Sequence, residues 1–475
     1  GVAAVDPALQ HGEPPADVQL RAHATAALHK VIDFYDGQVS ASGGYLWRYS
    51  GDLKTREGER PADENTAWVQ PPGTPTVGMA WLNGYRRCGD RQLLQAARRT
   101  GQALVSGQLQ SGGWDYAIHF DPSERKRYAY RMDGDRAGTR NTTTLDDDTT
   151  QSALRFLMEL DLTLQFKDPE IHEAVTYALD QILAAQFPNG AWPQRFSAPP
   201  DAEKYPVKKA SYPERWSREY AGDKYYDYYT FNDDSLAEMI QTLLLAADIY
   251  QSPRYRAAAL KGADFVLLAQ MPEPQPAWAQ QYNAEMHPAW ARKFEPPSIT
   301  GSESQAIIRL LMEVYRETGD KKYLAPIPPA LAYLKRCQLP NGQLARFYEL
   351  GTNRPLYFVK DTYVLTYDDS NLPTHYGFKV SSKVPALEAA YQRVLETPAE
   401  KLKPAVRRAA PGEDRVSDSL KKSVWEVIQA LDERGAWLEE GSLKSVPDAK
   451  TQPIVDTKTL VKNLDVLTRY LGARP

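Results

Sequence analysis

One pattern constrains this chain more than any other: an apolar helical run ends in a Gln, a turn follows, and then an aromatic or polar strip. The copies read "QVSASGGYLWRY" from Gln38, "QLQSGGWDY" from Gln108, "QFPNGAWPQRF" from Gln186, "QMPEPQPAWAQQY" from Gln270 and "QLPNGQLARFYE" from Gln338. Successive Gln residues stand 70, 78, 84 and 68 positions apart, room for two helices and their loops. Between them, segments such as "DRQLLQAARRTGQALVSGQ" and "DSLAEMIQTLLLAADIY" place apolar residues at three- and four-residue spacing, so the unit is a helical hairpin. Gly, Pro and Asn at each strip stop the preceding helix and turn the chain. Hairpins that return a loop after each inner helix predict an all-α fold, an α/α toroid (an incomplete α/α barrel) whose loops converge on one rim. The aromatics after the turns, Trp114, Trp192 and Tyr348 among them, are then expected to stack on sugar rings along a cleft.

At 475 residues the chain can hold one large domain or two. A toroid over 1–394 is expected, with a linker and helical extension over 395–475 packed on it, because "LETPAEKLKPAVRRAAPGED" shifts toward Pro and charge. Two polar, basic, Tyr-rich stretches, 121–140 and 199–229, read as long surface loops. The net charge of -4 argues against a nucleic-acid partner, and no apolar run approaches the roughly 20 residues of a membrane span. The chain begins with Gly, so a secreted or periplasmic protein with its leader removed is expected, acting as a monomer. Cys88 and Cys337 are too few for a disulfide framework or a thiolate zinc site. HExxH, GxSxG, P-loop and GxGxxG patterns are absent, which removes the usual supports of zinc hydrolysis, serine hydrolysis and nucleotide chemistry.

Four constellations carry the chemistry. "TLDDDTTQSALRF" and "YTFNDDSLAEMI" set Asp146, Asp147 and Asp148, and Asn232, Asp233 and Asp234, directly before amphipathic helices. A helix needs one N-cap, so the surplus carboxylates point to a cation, and oxygen-only ligands favour Ca²⁺ or Mg²⁺ over zinc. Asp147 or Asp148 is expected to cap the helix while Asp146 faces the cleft. "PAWARKFEPPSITGSES" and "LARFYELGTNRPLYFVKD" add Arg292, Lys293, Arg346, Arg354 and Lys360, cations suited to gripping carboxylates. An acidic polysaccharide is the partner that fits both sets.

These motifs, in this order from about Gln108 to Asp369, resemble the family 10 pectate lyases. The resemblance implies an α/α toroid-like fold and Ca²⁺-dependent β-elimination of polygalacturonate or a related uronan. It implies Asp146 and Asp233 as calcium or substrate-site carboxylates, with Asp147 beside them, Arg292 as catalytic base, and Arg346 as a grip on a substrate carboxylate. Arg354, Lys360, Lys293 and Asn232 fall among the substrate-binding positions. Departures are visible: Asp147 and Asp148 replace Asn-Gly, Lys360 stands where the family has a second Arg, and "YDDSNLPTHYGFKV" replaces the family's ending. An Arg base must lose a proton despite its high pKa, which a cation such as Lys293 would assist. Two other readings use the same residues: an α/α-toroid glycoside hydrolase with Asp146 and Asp233 as acid and base, and a non-catalytic uronate-binding homologue.

Overall fold

The structure, a computed structural model, describes residues 12–222, 224–408 and 414–474. The extreme amino terminus and residues 409–413 of the expected linker lie outside the described residues. Helices make up 47% of the chain and the strands are few and short, so the all-α hairpin class read from the repeat is the class observed. The helices are α1 (Asp17–Phe34), α2 (Thr74–Cys88), α3 (Arg91–Gly107), the single turn α4 (Pro122–Arg125), α5 (Thr149–Thr163), α6 (Pro169–Ala185), α7 (Ser235–Tyr250), α8 (Pro253–Ala269), α9 (Glu303–Thr318), α10 (Ile327–Arg336), α11 (Val384–Glu396), α12 (Asp418–Gln429) and α13 (Thr457–Gly472).

Hairpin turns follow from their residues. Gly89 ends α2 in the left-handed region at φ 73°, and the Asp90 carboxylate caps α3 by accepting from the Gln92 amide. Pro253 opens α8, where its missing N–H costs no helical bond.

The strips act as locks within the fold. Gln108 donates from Nε2 to the Gly112 and Ala174 carbonyls, Gln186 to those of Gly190 and Ala258, and Gln270 to those of Pro276 and Pro326. Each amide thus ties its own turn to the next outer helix or the chain just before it. The indole N–H of Trp114 donates to the Leu104 carbonyl, that of Trp192 to Ile182 and that of Trp278 to Val266, which satisfies carbonyls in the last turns of the preceding helices. Trp437 repeats the bond to Val427, a copy the sequence spacing did not expose. Gly190, at φ 99°, lies so close to the Lys261 carbonyl that a Cβ there would sit 2.0 Å from the oxygen.

The expectation for the strip aromatics is therefore corrected. Trp114 is 0% exposed, Trp192 3% and Tyr348 1%, and the Tyr348 hydroxyl donates to the Cys337 carbonyl. A ring with no open face cannot stack on a polymer. Its period comes from packing, which repeats for the same reason the hairpins do. The loop expectation is also modified: within 121–140, α4 forms, and Tyr128 and Tyr130 are buried and stacked at 5.4 Å.

The chain divides into two compact units, one comprising Gly1–Thr144, Asp148–Asp180 and Ala409–Pro475, the other Leu145–Asp147 and Gln181–Arg408. In the first, α13 packs on α2, with Leu460, Leu464 and Leu467 buried, and Gly84 lets the helices approach until a Cβ would meet Thr468 at 3.0 Å. An antiparallel ribbon joins chain ends there, with Arg48–Ser50 pairing Ile454–Asp456. The second unit holds hairpins α7–α8 and α9–α10, helix α11, and a four-stranded antiparallel sheet built from 299–300, 347–348, 355–358 and 365–366. Around that sheet, Trp290, Phe347, Phe358 and Phe378 form an aromatic core. Both cysteines are free.

Candidate active site

The two acidic runs fold as the same turn. Asp146–Asp148 and Asn232–Asp234 each make a 3₁₀ turn leading into α5 and α7, with Asp147 and Asp148 at φ 52° and 55° and Asp233 and Asp234 at φ 49° and 57°. Consecutive non-glycine residues in the left-handed region cost on the order of 1–3 kcal/mol each, and Asp and Asn tolerate it best. Capping does not explain them. Asp148 and Asp234 are the N-cap residues, yet neither side chain accepts a capping hydrogen bond. Asp148 pairs instead with Arg155, two helical turns on, so the cap expected of Asp148 is corrected: a left-handed N-cap aims its side chain away from the first-turn amides.

What the turns achieve is convergence. Carboxylate oxygens of Asp146, Asp147 and Asp233 all lie within 4.8 Å of one another. Gln194 donates to Asp146 at 2.8 Å, and Asn232, itself buried, donates to Asp233 at 3.2 Å and to Asp146 at 3.5 Å. Asn232 in turn accepts from Gln280 at 3.2 Å, so its amide is oriented from behind. Partial desolvation by the surrounding protein, then the Asp146 and Asp147 charges, push the Asp233 carboxyl up to about 7 although it touches solvent. Three oxygen donors held against their mutual repulsion suit a hard divalent cation, so the residues fit calcium on their chemistry.

Beside this cluster, a groove of about 440 Å³ takes Asp233, Asp234, Glu303 and Arg346 into its lining. Glu303 is buried at the start of α9, which raises its carboxyl, and Arg346 donates to it at 3.5 Å while lying 4.3 Å over the Tyr376 ring. The Arg346 Nε is buried without a hydrogen-bond partner.

Arg292 belongs to a second network on the same ring. Its Nε donates to Glu295 Oε1 at 2.6 Å and its Nη2 to Oε2 at 3.2 Å, and its guanidinium lies 4.7 Å from the Phe294 ring and 5.7 Å from that of Tyr376. Glu295 is 1% exposed and also accepts from Gln280 at 2.5 Å and from the Tyr376 hydroxyl at 2.9 Å. Burial would raise its carboxyl, but Arg292 and these donors hold it below the usual range. For Arg292 burial pulls down and the Glu295 bond pulls up, and the bond prevails, so the guanidinium lies above its ordinary value. The expected help from Lys293 is thus corrected: its ammonium sits 4.0 Å over the Tyr363 ring, and the dominant neighbour of Arg292 is an anion.

Of the remaining expected residues, Arg354 stacks 3.5 Å over Tyr367, whose hydroxyl donates to Glu349. Lys360 is exposed in a turn fixed by its backbone amide to Asn371. Sequence reasoning missed Glu295, Glu303, Gln194 and Tyr376. Glu295 stood three residues after Arg292 in a motif already singled out, whereas Tyr376 lies in "THYGFKV", where the family pattern had ended.

Paired acidic turns thus close on three carboxylates, with Arg346 in the lining of the groove beside them. Residues 108–314, a segment that includes both acidic turns and Arg292, match the family described as pectic acid lyase. Among solved structures, a mutant family 10 polysaccharide lyase from Cellvibrio cellulosa in complex with trigalacturonic acid is 22% identical, over 67% of this chain and 98% of that one, at a TM-score of 0.45. D-mannose isomerase is 16% identical over 96% and 98%, at 0.43. Cellobiose 2-epimerase from Spirochaeta thermophila is 14% identical over 99% and 98%, at 0.42. No curated protein matches the sequence.

Proposed function

We propose that the protein cleaves polygalacturonate or a related uronan by calcium-assisted β-elimination. The observation that carries this reading is the convergence of Asp146, Asp147 and Asp233, within the segment that matches the pectic acid lyase family. Elimination removes the C5 proton, α to a carboxylate, and it is blocked while that carboxylate keeps its full charge. Calcium held by the three aspartates would supply positive charge at the substrate carboxylate. Arg346, which lines the groove beside them, grips that carboxylate.

Arg292 and Glu295 act as a pair. A guanidinium cannot take a proton unless it gives one up, and its Nε–H already points at Glu295 at 2.6 Å. The Nη2 proton, bonded to Glu295 Oε2 at 3.2 Å, passes to that oxygen, and the lone pair it leaves on Nη2 takes the C5 proton, so Arg292 ends cationic and Glu295 neutral. The C5–H electron pair forms the C4–C5 double bond and the C4–O bond leaves with its electrons. The departing oxygen recovers a proton from the pair or from solvent, so no water is consumed. A polymeric substrate places the reaction outside the cytoplasm.

The test is ultraviolet absorbance of the unsaturated uronate during incubation with polygalacturonate, with and without chelator, beside a folded Asp146→Ala variant. A chelator-sensitive rise lost in the variant supports the reading. New reducing ends without the chromophore would make the protein a hydrolase.

A further inference from the structure

A second groove, of about 480 Å³, lies between α9, α11 and the chain that follows α11. Its charge is one-sided. Arg309, Arg316, Arg393, Lys401 and Lys403 line it against a single carboxylate, Glu313. None of the five cations forms an ion pair with a carboxylate among the described residues, and the Arg316 Nε is buried without a hydrogen-bond partner. Unpaired like charges crowded on one wall repel, so the arrangement costs stability unless an anion comes to it. The floor is apolar, with Ala386, Ala390 and Leu402 open to it among the cations.

Arg309 lines this groove and also the groove that holds Asp233 and Arg346. We infer that the second groove is a distal binding track for the uronan chain, continuous through Arg309 with the site of cleavage. Carboxylates along the polymer meet Arg316, Arg393, Lys401 and Lys403, while the sugar C–H faces rest on the apolar floor. The two ligand features, regularly placed anions and weakly apolar faces, match the two wall types, and a free small anion would use only the first. The residues that supply most of the track, 386–403, lie beyond the segment that matches the lyase family. This inference rests on the proposed uronan reading for the identity of the chain and on the groove's own charge for its existence.

The test is a triple charge reversal, Arg316→Glu, Arg393→Glu and Lys403→Glu, none of which belongs to the cleavage machinery, checked for folding by circular dichroism. A second variant, Lys401→Glu with Lys403→Glu, alters exposed side chains after α11 and guards against misfolding of the first. Binding of polygalacturonate is measured by titration calorimetry, and turnover is followed separately on polygalacturonate and on trigalacturonate. The expected result is a loss of polymer affinity of at least about fivefold, with a matching rise in KM for polymer and unchanged kinetics on the trimer. Unchanged polymer affinity in both folded variants would overturn the track. Equal loss of affinity for polygalacturonate and for single-stranded oligodeoxythymidine would overturn the uronan assignment and leave a general polyanion surface. If wild type binds polymer but yields no chromophore, the elimination reading fails while the track is still judged by the binding arm. Absence of polymer binding in wild type overturns both.

Discussion

Replacing Trp192 with Phe separates a core lock from a sugar platform. The indole N–H donates to the Ile182 carbonyl at 2.9 Å near the end of α6, and the ring lies against the bare backbone of Gly262, where a Cβ would come within 2.9 Å of it. Phe removes the donor and leaves a buried carbonyl orphaned, at about 1–3 kcal/mol. The vacated volume adds roughly 1–2 kcal/mol because neighbouring α8 cannot collapse into it. A loss of about 2–5 kcal/mol corresponds to a melting temperature lower by about 5–15 °C for a unit of roughly 230 residues. Differential scanning calorimetry measures that shift, and polymer titration supplies KM on the same sample. The lock predicts a large thermal shift with KM for uronan unchanged. A raised KM with an unchanged melting temperature would refute the burial argument and restore Trp192 to the substrate.

Three further outcomes follow from the site. Glu295→Gln keeps the shape but removes the proton acceptor and the charge paired with Arg292, so kcat should fall by at least about a hundredfold with KM nearly constant, a typical contribution of acid–base catalysis; a fall in affinity alone would mean that Glu295 serves binding. Arg346→Ala should raise KM and lower kcat together, since the grip on the carboxylate serves ground state and transition state alike, and steady-state kinetics on trigalacturonate will show whether both move. Asp233, pushed up to about 7, must be ionised to hold calcium, so calcium affinity by calorimetry should weaken about tenfold from about pH 8 to about pH 6. The sign is opposite for the metal-free protein: a carboxyl raised by folding contributes stability below its unfolded value near 3.8 and loses it as pH rises through about 7, so an apo melting temperature that climbs across that window would refute the crowding of the three aspartates.

The hairpin class was readable because helix period and breaker chemistry are local, and both acidic runs were readable because three adjacent carboxylates exceed what a cap requires. Trp114, Trp192 and Tyr348 misled for an instructive reason. A repeated aromatic marks a repeated environment, and sequence cannot say whether that environment is a cleft or the joint between hairpins. Asp148 misled because its cap position is real, while the left-handed backbone that turns its side chain toward Arg155 is set by the convergence of the site rather than by its own helix. Glu295 and Tyr376 were hidden by distance: 81 residues separate them along the chain, and their meaning lies in a shared contact with Arg292.

The Gln and Trp bonds also bear on how such a chain can grow or shrink. Because each lock is made between one turn and the helices immediately around it, a hairpin brings most of its own fastening. Duplicating one inserts a ready-made module without asking distant residues to change, whereas catalysis, which draws on loops from several modules at once, ties their order and number together. Insertions should thus be tolerated between modules whose turns carry no site residue, and least tolerated in the turns between Asp146 and Tyr376 that meet at the site.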